Sequence, residues 1–170
     1  MKKIILGTLI AVTFFACQQD KIAYIDNVKL INDYQEKKDI EARFKTKIEK
    51  FDKKADSISK AFQLEAQTFD TDSRKMSQSE AQKKYNELLQ KRQFIQQQLQ
   101  YEEQQIQQES QAAIDSLVKK VKDFVKEYGS QNGYTYILGA NDAGSVLYGK
   151  EDKDLTETIL EQLNTSYTQK

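Results

Sequence analysis

The absence of glycine and proline between Cys17 and Tyr128 is the feature that most constrains this chain. Because both residues interrupt helices, a stretch of this length without either one favours continuous helix. Apolar residues recur within it at helical spacing and form two stripes, each of which predicts a long helix that needs a partner. The first stripe is Ile40, Phe44, Ile48, Phe51, Ala55, Ile58 and Phe62, and the second is Tyr85, Leu88, Ile95, Leu99, Ile106, Ala113, Leu117, Val121, Phe124 and Tyr128.

The two stripes are separated by residues 68–79, where the apolar spacing lapses and Asp, Thr and Ser are frequent. Ser77 and Glu80 have the spacing of a capping box, which would begin the second helix. A short connection makes consecutive helices antiparallel neighbours. We therefore predict a coiled-coil hairpin over residues 37–128, with its tip near residues 69–79 and a first arm roughly 50 Å long.

Both chain ends contribute short patterns that are typical of strands. Residues 21–26 alternate in character, residues 134–138 are aromatic and β-branched, and residues 146–148 follow a turn at 139–144. Asn27 is in position to cap a short helical turn after the first strand. We predict a base built from residues 17–36 and 129–170. The strand residues expected to form its oligomerisation body are Ile22, Tyr24, Tyr134, Tyr136, Leu138 and Val146.

The end of the chain predicts a further helix. Asp154 and Glu157 have capping-box spacing, and an apolar residue recurs every four positions on one face: Leu155, Ile159, Leu163 and Tyr167. The predicted fold class is α+β, mostly α: a long antiparallel hairpin on a small β-body with a C-terminal helix.

The first sixteen residues read as an export signal, because Lys2 and Lys3 precede an apolar run too short to span a bilayer. The run ends directly before Cys17, the only cysteine. This arrangement resembles a bacterial lipoprotein signal, which implies cleavage before Cys17 and its lipidation, and hence a lipid anchor in a membrane. The alternative is an ordinary signal peptide with an incidental thiol at Cys17.

The composition argues against catalysis. The chain has no histidine, the residue most used for proton transfer near neutral pH and for zinc. The segment 139–144 lacks the ending of a phosphate-binding loop and reads as a plain turn, and the clustered acids lack the spacing of a calcium loop. We expect no enzyme activity, no cofactor and no metal.

Charge is distributed unevenly along the chain. Residues 37–128 hold 19 basic and 16 acidic residues, whereas residues 17–36 and 129–170 together hold 5 basic and 10 acidic. The basic residues of the arms are either solvated flanks of the hairpin or a surface for an anionic partner. Export argues against nucleic acid as that partner. The many glutamines between Gln90 and Gln111 indicate a weakly charged helix face that could lie beside an unfolded polypeptide.

The order of these segments resembles the Skp/OmpH family of periplasmic chaperones. Residues 21–26 look like the family's opening strand, residues 30–34 like the turn after it, and residues 134–138 like its second strand, followed by a terminal helix. The resemblance spans essentially the whole chain after the export signal.

This resemblance implies a homotrimer in which base strands form a shared body and three hairpins surround a cavity. Such a cage would hold unfolded outer-membrane proteins in the periplasm without ATP. The arm residues expected to face such a client are Phe69, Met76, Ile95, Leu99, Tyr101 and Ile106. The alternative is a structural or docking coiled-coil lipoprotein of the cell envelope.

Overall fold

The computed structural model describes residues 20–141 and 144–168. The predicted signal segment and Cys17 lie outside the described residues. The main elements, in chain order, are β1 (Ile22–Asp26), α1 (Asn27–Asp33), α2 (Gln35–Asp72), α3 (Gln78–Gln131), β2 (Tyr136–Ala140) and α4 (Thr156–Thr168). Short 3-10 turns occupy Ser73–Lys75 and Glu151–Lys153.

The hairpin consists of α2, with 38 residues, and α3, with 54. The predicted capping box begins α3: the Ser77 hydroxyl accepts from the Glu80 amide at 3.3 Å, and the Ser77 amide donates to the Glu80 carboxylate at 3.0 Å. The Ser77 hydroxyl also donates to the Glu80 carboxylate at 2.7 Å, and this bond, followed by the one from the Ser77 amide, lowers the pKa of Glu80 because both stabilise its charged form. The prediction of a long helical hairpin on a small base with a terminal helix is confirmed.

Over residues 20–141 and 144–168 the sheet has two parallel strands, with Ile22 opposite Tyr136 and Tyr24 opposite Leu138. Parallel neighbours need a crossover connection, and here α1 and the whole hairpin form it. β2 begins at Tyr136, so the expectation that Tyr134 lies in a strand was wrong. Tyr134 instead stacks on Tyr128, with ring centroids 6.1 Å apart.

The third strand expected at residues 146–148 does not form, so Val146 is not a strand residue. The free edge of β1 is taken by the approach to α4, where the Leu155 amide donates to the Tyr24 carbonyl at 2.9 Å. The chain before it passes over the Tyr24 ring, and a Cβ on Gly149 would lie 2.3 Å from Tyr24 Cε1. Close packing against this ring replaces strand pairing.

Two expected helix caps also differ in the structure. α1 is capped by Asp26, whose carboxylate accepts from the amides of Val28 and Lys29 at 2.9 Å, and not by Asn27. At α4, Glu157 forms an ion pair with Lys29 instead of completing a capping box. Both differences join the start of α1 to the start of α4, because the Asp26 amide also donates to the Thr156 hydroxyl at 2.8 Å.

The core of the base lies where α1, α3 and α4 meet the sheet. Its most buried side chains are Leu30, Tyr34, Leu117, Ile159 and Leu163. The predicted apolar face of the terminal helix therefore packs inward, and the surplus length of α3 supplies one wall of this core. The arm and the base are joined through continuous helix and a shared core.

Candidate functional site

The two arms are held in register by four ion pairs that run from the base toward the tip. They are Glu36 with Lys120, Lys47 with Glu109, Lys54 with Glu102, and Glu65 with Lys91. The two residue numbers in each pair add to the same total, so both arms contain equal numbers of residues between successive pairs. The hairpin therefore has no shift of register between its root and its distal part.

The spacing between these pairs along each arm follows the helical repeat. On both arms the steps from one pair to the next are 11, 7 and 11 residues. Steps of 11 favour a right-handed supercoil and steps of 7 a left-handed one, so the mixture averages close to the 3.6 residues per turn of a straight helix. Each step is close to a whole number of helical turns, so the four pairs lie along one side of each arm.

One side of the hairpin, here called the lysine side, is defined by the ion-pairing residues Lys47, Lys91 and Glu109. Phe94 and Tyr101 belong to the same helical row of α3 as Lys91 and Glu109, at steps of three or four residues or their sums. Their side chains are 65% and 64% exposed. The row therefore exposes two aromatic rings to solvent between Lys91 and Glu109.

Leu64 of α2 is a third exposed apolar side chain at this level of the hairpin. It adjoins Glu65 of the Lys91 ion pair and is 65% exposed. The constant register places Leu64 level with Arg92, so Phe94 lies about 3 Å farther along the hairpin axis and Tyr101 about 10 Å beyond Phe94. Leu64, Phe94 and Tyr101 are called the distal apolar patch below.

The six predicted client-facing residues fall into different environments. Tyr101 and Met76 are exposed, at 64% and 36%, whereas Phe69, Ile95 and Leu99 are half-buried. Ile106 is 5% exposed, buried between the arms, so the prediction of an open client-facing position is wrong for Ile106. Ile95, Leu99 and Ile106 belong to the stripe that pairs the arms. Sequence reasoning missed Leu64 and Phe94, which lie outside the stripe and are exposed. Large apolar residues off the pairing stripe were the signal that could have found them.

The root of the hairpin is joined to α4 by a network of aromatic and charged side chains. The Tyr34 hydroxyl donates to Glu36 at 2.6 Å, and Lys120 of α3 forms an ion pair with the same carboxylate. The Lys120 ammonium also lies 5.7 Å from the Tyr34 ring centroid and 5.5 Å from that of Tyr167. Tyr167 of α4 completes the network by donating to Asp39 at 2.9 Å.

This network is called the root clamp below. Burial raises the pKa of Tyr34 to about 12, and the bond to the Glu36 carboxylate adds to that effect. The pKa of Tyr167 is also raised, first by its bond to Asp39 and then by burial. Both phenols therefore stay protonated and donate across the physiological range, which ties the arms to the base.

The exposed face of the sheet brings together most of the predicted oligomer-body residues. Ile22, Tyr24, Leu138 and Val146 line a cavity of about 570 Å³ on this face. Tyr136 stands on the same face, because its register partner is Ile22. Ile22, Tyr136 and Leu138 are 43%, 59% and 45% exposed. Tyr134 lies apart from this face, against the ammonium of Lys21.

The segment after β2 adds two strongly exposed apolar side chains to the base. Leu147 is 93% exposed and Tyr148 is 82% exposed. Within the described residues, β2 pairs with β1 alone, so its other edge is open. An open edge beside exposed apolar side chains is typical of a surface that another chain covers.

No group of three or more carboxylate or cysteine residues within 20–141 and 144–168 is arranged to hold a metal ion. Over the same residues, no helix has the length and apolar character needed to cross a membrane.

Comparison with known sequences decides the family. The family model described as "Outer membrane protein (OmpH-like)" matches residues 21–163. The chain belongs to this family. The match extends from the strand that opens the base to the terminal helix, and so includes both ends of the base and the whole hairpin. No curated protein matches the sequence.

The fold is also found among solved structures. A crystal structure from Caulobacter crescentus CB15, described as a candidate outer membrane chaperone (OmpH-like), superposes with a TM-score of 0.76 at 15% sequence identity. The superposition covers 86% of this chain and 85% of the Caulobacter chain. At this identity the likeness concerns the fold, and it extends over nearly the full length of both proteins.

Proposed function

We propose that this protein is an ATP-independent holding chaperone of the periplasm that binds unfolded outer-membrane proteins between its helical arms. The observation that carries the proposal is the distal apolar patch, Leu64, Phe94 and Tyr101, which lies outside the stripe that pairs the arms. These side chains are each about two-thirds exposed and so remain available to a partner. Membership of the OmpH-like family supports the same role.

The chemistry of the patch suits an unfolded client better than a folded one. Three separated apolar side chains among glutamines offer several weak contacts and no deep pocket of fixed shape. Weak, distributed contacts hold different apolar segments without selecting one sequence. Such holding needs no nucleotide, metal or catalytic group.

The proposal includes a homotrimer, because one hairpin cannot enclose a client. The exposed face with Ile22, Tyr136 and Leu138, and the open edge of β2, supply the surface that neighbouring copies would cover. A two-stranded sheet also gains stability from such contacts. Lipidation of Cys17 would anchor the trimer to a membrane and place the arms in the periplasm.

The test uses the protein that begins after Cys17 and a urea-denatured outer-membrane β-barrel protein diluted into buffer without nucleotide. We expect suppressed light scattering at stoichiometric trimer, and a trimer of elongated shape by sedimentation. Unchanged aggregation at excess protein would reject the holding role, and a monomer at micromolar concentration would reject the cage. For the anchor, Cys17→Ala should move the full-length protein from the membrane to the soluble fraction.

A structural or docking lipoprotein is the second candidate, and the four cross-arm ion pairs favour it because they fix the alignment of the two arms along the hairpin. Under this alternative, Cys17 would anchor a spacer, and the arms would not delay client aggregation. The same scattering experiment therefore separates the two functions.

A further inference from the structure

The side of the hairpin opposite the lysine side contains a cavity of about 320 Å³ between the arms. Its apolar surface comes from Ile48, Phe51 and Ile106, and Ile48 is 47% exposed. Asp52 and Glu103 also line it, one from each arm. This side is called the carboxylate side, and it is distinct from the distal apolar patch.

The two carboxylates of this cavity are not neutralised. Within the described residues, neither Asp52 nor Glu103 forms an ion pair or a side-chain hydrogen bond, whereas Glu65, Glu102 and Glu109 are each paired with a lysine across the arms. The other residues that line the cavity, Gln107, Ser110 and Gln111, carry no charge. The cavity therefore combines apolar surface with two unbalanced negative charges.

We propose that this cavity binds client segments in which an apolar residue is followed or preceded by lysine or arginine. An apolar side chain, or the aliphatic stem of a basic one, can lie against Ile48 and Phe51 while the cationic head reaches the carboxylates. Both carboxylates are exposed, so this attraction is that of a surface ion pair and is weakened by salt. The inference rests on the proposed holding function and adds a preference for basic apolar segments.

The two sides of the hairpin thus differ in what they recognise. The distal apolar patch offers aromatic surface with no charge requirement, and the cavity adds a point that favours positive charge. Opposite charge directs encounter and orientation more than it raises affinity, so the cavity would align a segment already held by apolar contacts.

The experiment compares two labelled peptides by fluorescence anisotropy with the protein that begins after Cys17. Leucine alternates with arginine in one peptide and with glutamate in the other. The test variant is Asp52→Asn with Glu103→Gln, and the matched control is Asp70→Asn with Asp72→Asn, which changes charge equally at the tip of α2. Asp72 lies about 30 Å along the helix from Asp52.

We expect the test variant to bind the leucine–arginine peptide about five to ten times more weakly, as for two partly exposed ion pairs. The control should bind it normally, and added salt should reduce the difference. Ile48→Ser should weaken binding of the same peptide while leaving helicity unchanged, because Ile48 is half exposed.

Equal affinity of the test variant and the control would overturn the inference, and so would tighter binding of the leucine–glutamate peptide by the unmodified protein. A changed oligomeric state in the test variant alone would assign the cavity to contact between copies and would likewise overturn it. The holding function fails separately, if the unmodified protein does not delay aggregation of the β-barrel client.

Discussion

Lys54 and Glu102 join the two arms through an ion pair of 2.5 Å, although 48 residues separate them along the chain. Glu102 occupies a step of the second apolar stripe where an apolar residue is missing. The carboxylate therefore sits at the interface of the arms, and the lysine neutralises it there. The pair therefore contributes both to the alignment of the two arms and to the stability of their pairing.

Reversing this pair should show its contribution. Lys54→Glu places two carboxylates together and should lower the free energy of unfolding by about 1 kcal/mol, whereas the double variant Lys54→Glu with Glu102→Lys should recover most of it. Urea unfolding at low and high salt measures both. Additive losses in the double variant would contradict the ion pair. Lys60→Glu, on a lysine whose ion-pair partner Asp56 lies on the same helix, is the control for charge.

The constant register makes a second prediction about the arms. Deleting residues 55–61 from α2 together with the level residues 95–101 from α3 should preserve a cooperative hairpin, because two turns leave each arm. The particle should shorten by about 10 Å, which small-angle scattering can measure. Deleting residues 95–101 alone should disrupt pairing beyond the deletion. Equal thermal stability of the two variants would show that the ion pairs do not define the alignment.

The root clamp predicts loss of stability at alkaline pH. The pKa of Tyr34 is raised from 10.0 to about 12 in the folded protein, so its contribution is complete below pH 10 and is lost as the pH rises toward 12. A pKa difference of two units between the folded and the unfolded protein corresponds to about 3 kcal/mol in the free energy of unfolding. The free energy of unfolding, measured with urea from pH 8 to about 12, should depend less on pH in Tyr34→Phe than in the control Tyr101→Phe, which changes an exposed ring. Identical slopes would contradict the burial of the phenol.

Packing over the sheet predicts contrasting results for two glycines. A Cβ at Gly149 meets the Tyr24 ring at 2.3 Å, while a Cβ at Gly139 meets the side-chain nitrogen of Asn27 at 2.1 Å. The Tyr24 ring is attached to a paired strand, whereas the exposed side-chain amide of Asn27 can rotate away. Gly149→Ala should therefore destabilise the base by about 1–3 kcal/mol and Gly139→Ala by less. Thermal unfolding of the two variants checks the order.

The distal apolar patch predicts a loss of holding without a loss of stability. Leu64, Phe94 and Tyr101 are each about two-thirds exposed, so changing all three to serine should leave the melting temperature nearly unchanged. The same variant should need several-fold more protein to suppress client aggregation. A matched control, Gln63→Ser with Gln93→Ser and Gln100→Ser, changes polar residues of the same arms. Equal holding by both variants would remove the patch from the proposed mechanism.

Local pattern was sufficient to predict the helices and their pairing. The stripes through Phe44 and Leu117 follow the helical repeat, and both side chains are buried where the stripes require. The capping box at Ser77 was readable because its partner Glu80 is three residues away. The role of Ile106 was misread, because periodicity identifies an apolar face without saying whether another arm or a client covers it.

The base depended on contacts that no local pattern contains. Val146 has strand character, yet residues 146–148 pair with neither β1 nor β2, and Asp26 rather than Asn27 caps α1. The sequence by itself determined the helical hairpin, because its repeats and cap are local. Only the tertiary structure decided the parallel pairing of β1 with β2, the root clamp and the two unlike sides of the arms, because these join residues whose distance along the chain carries no periodic signal.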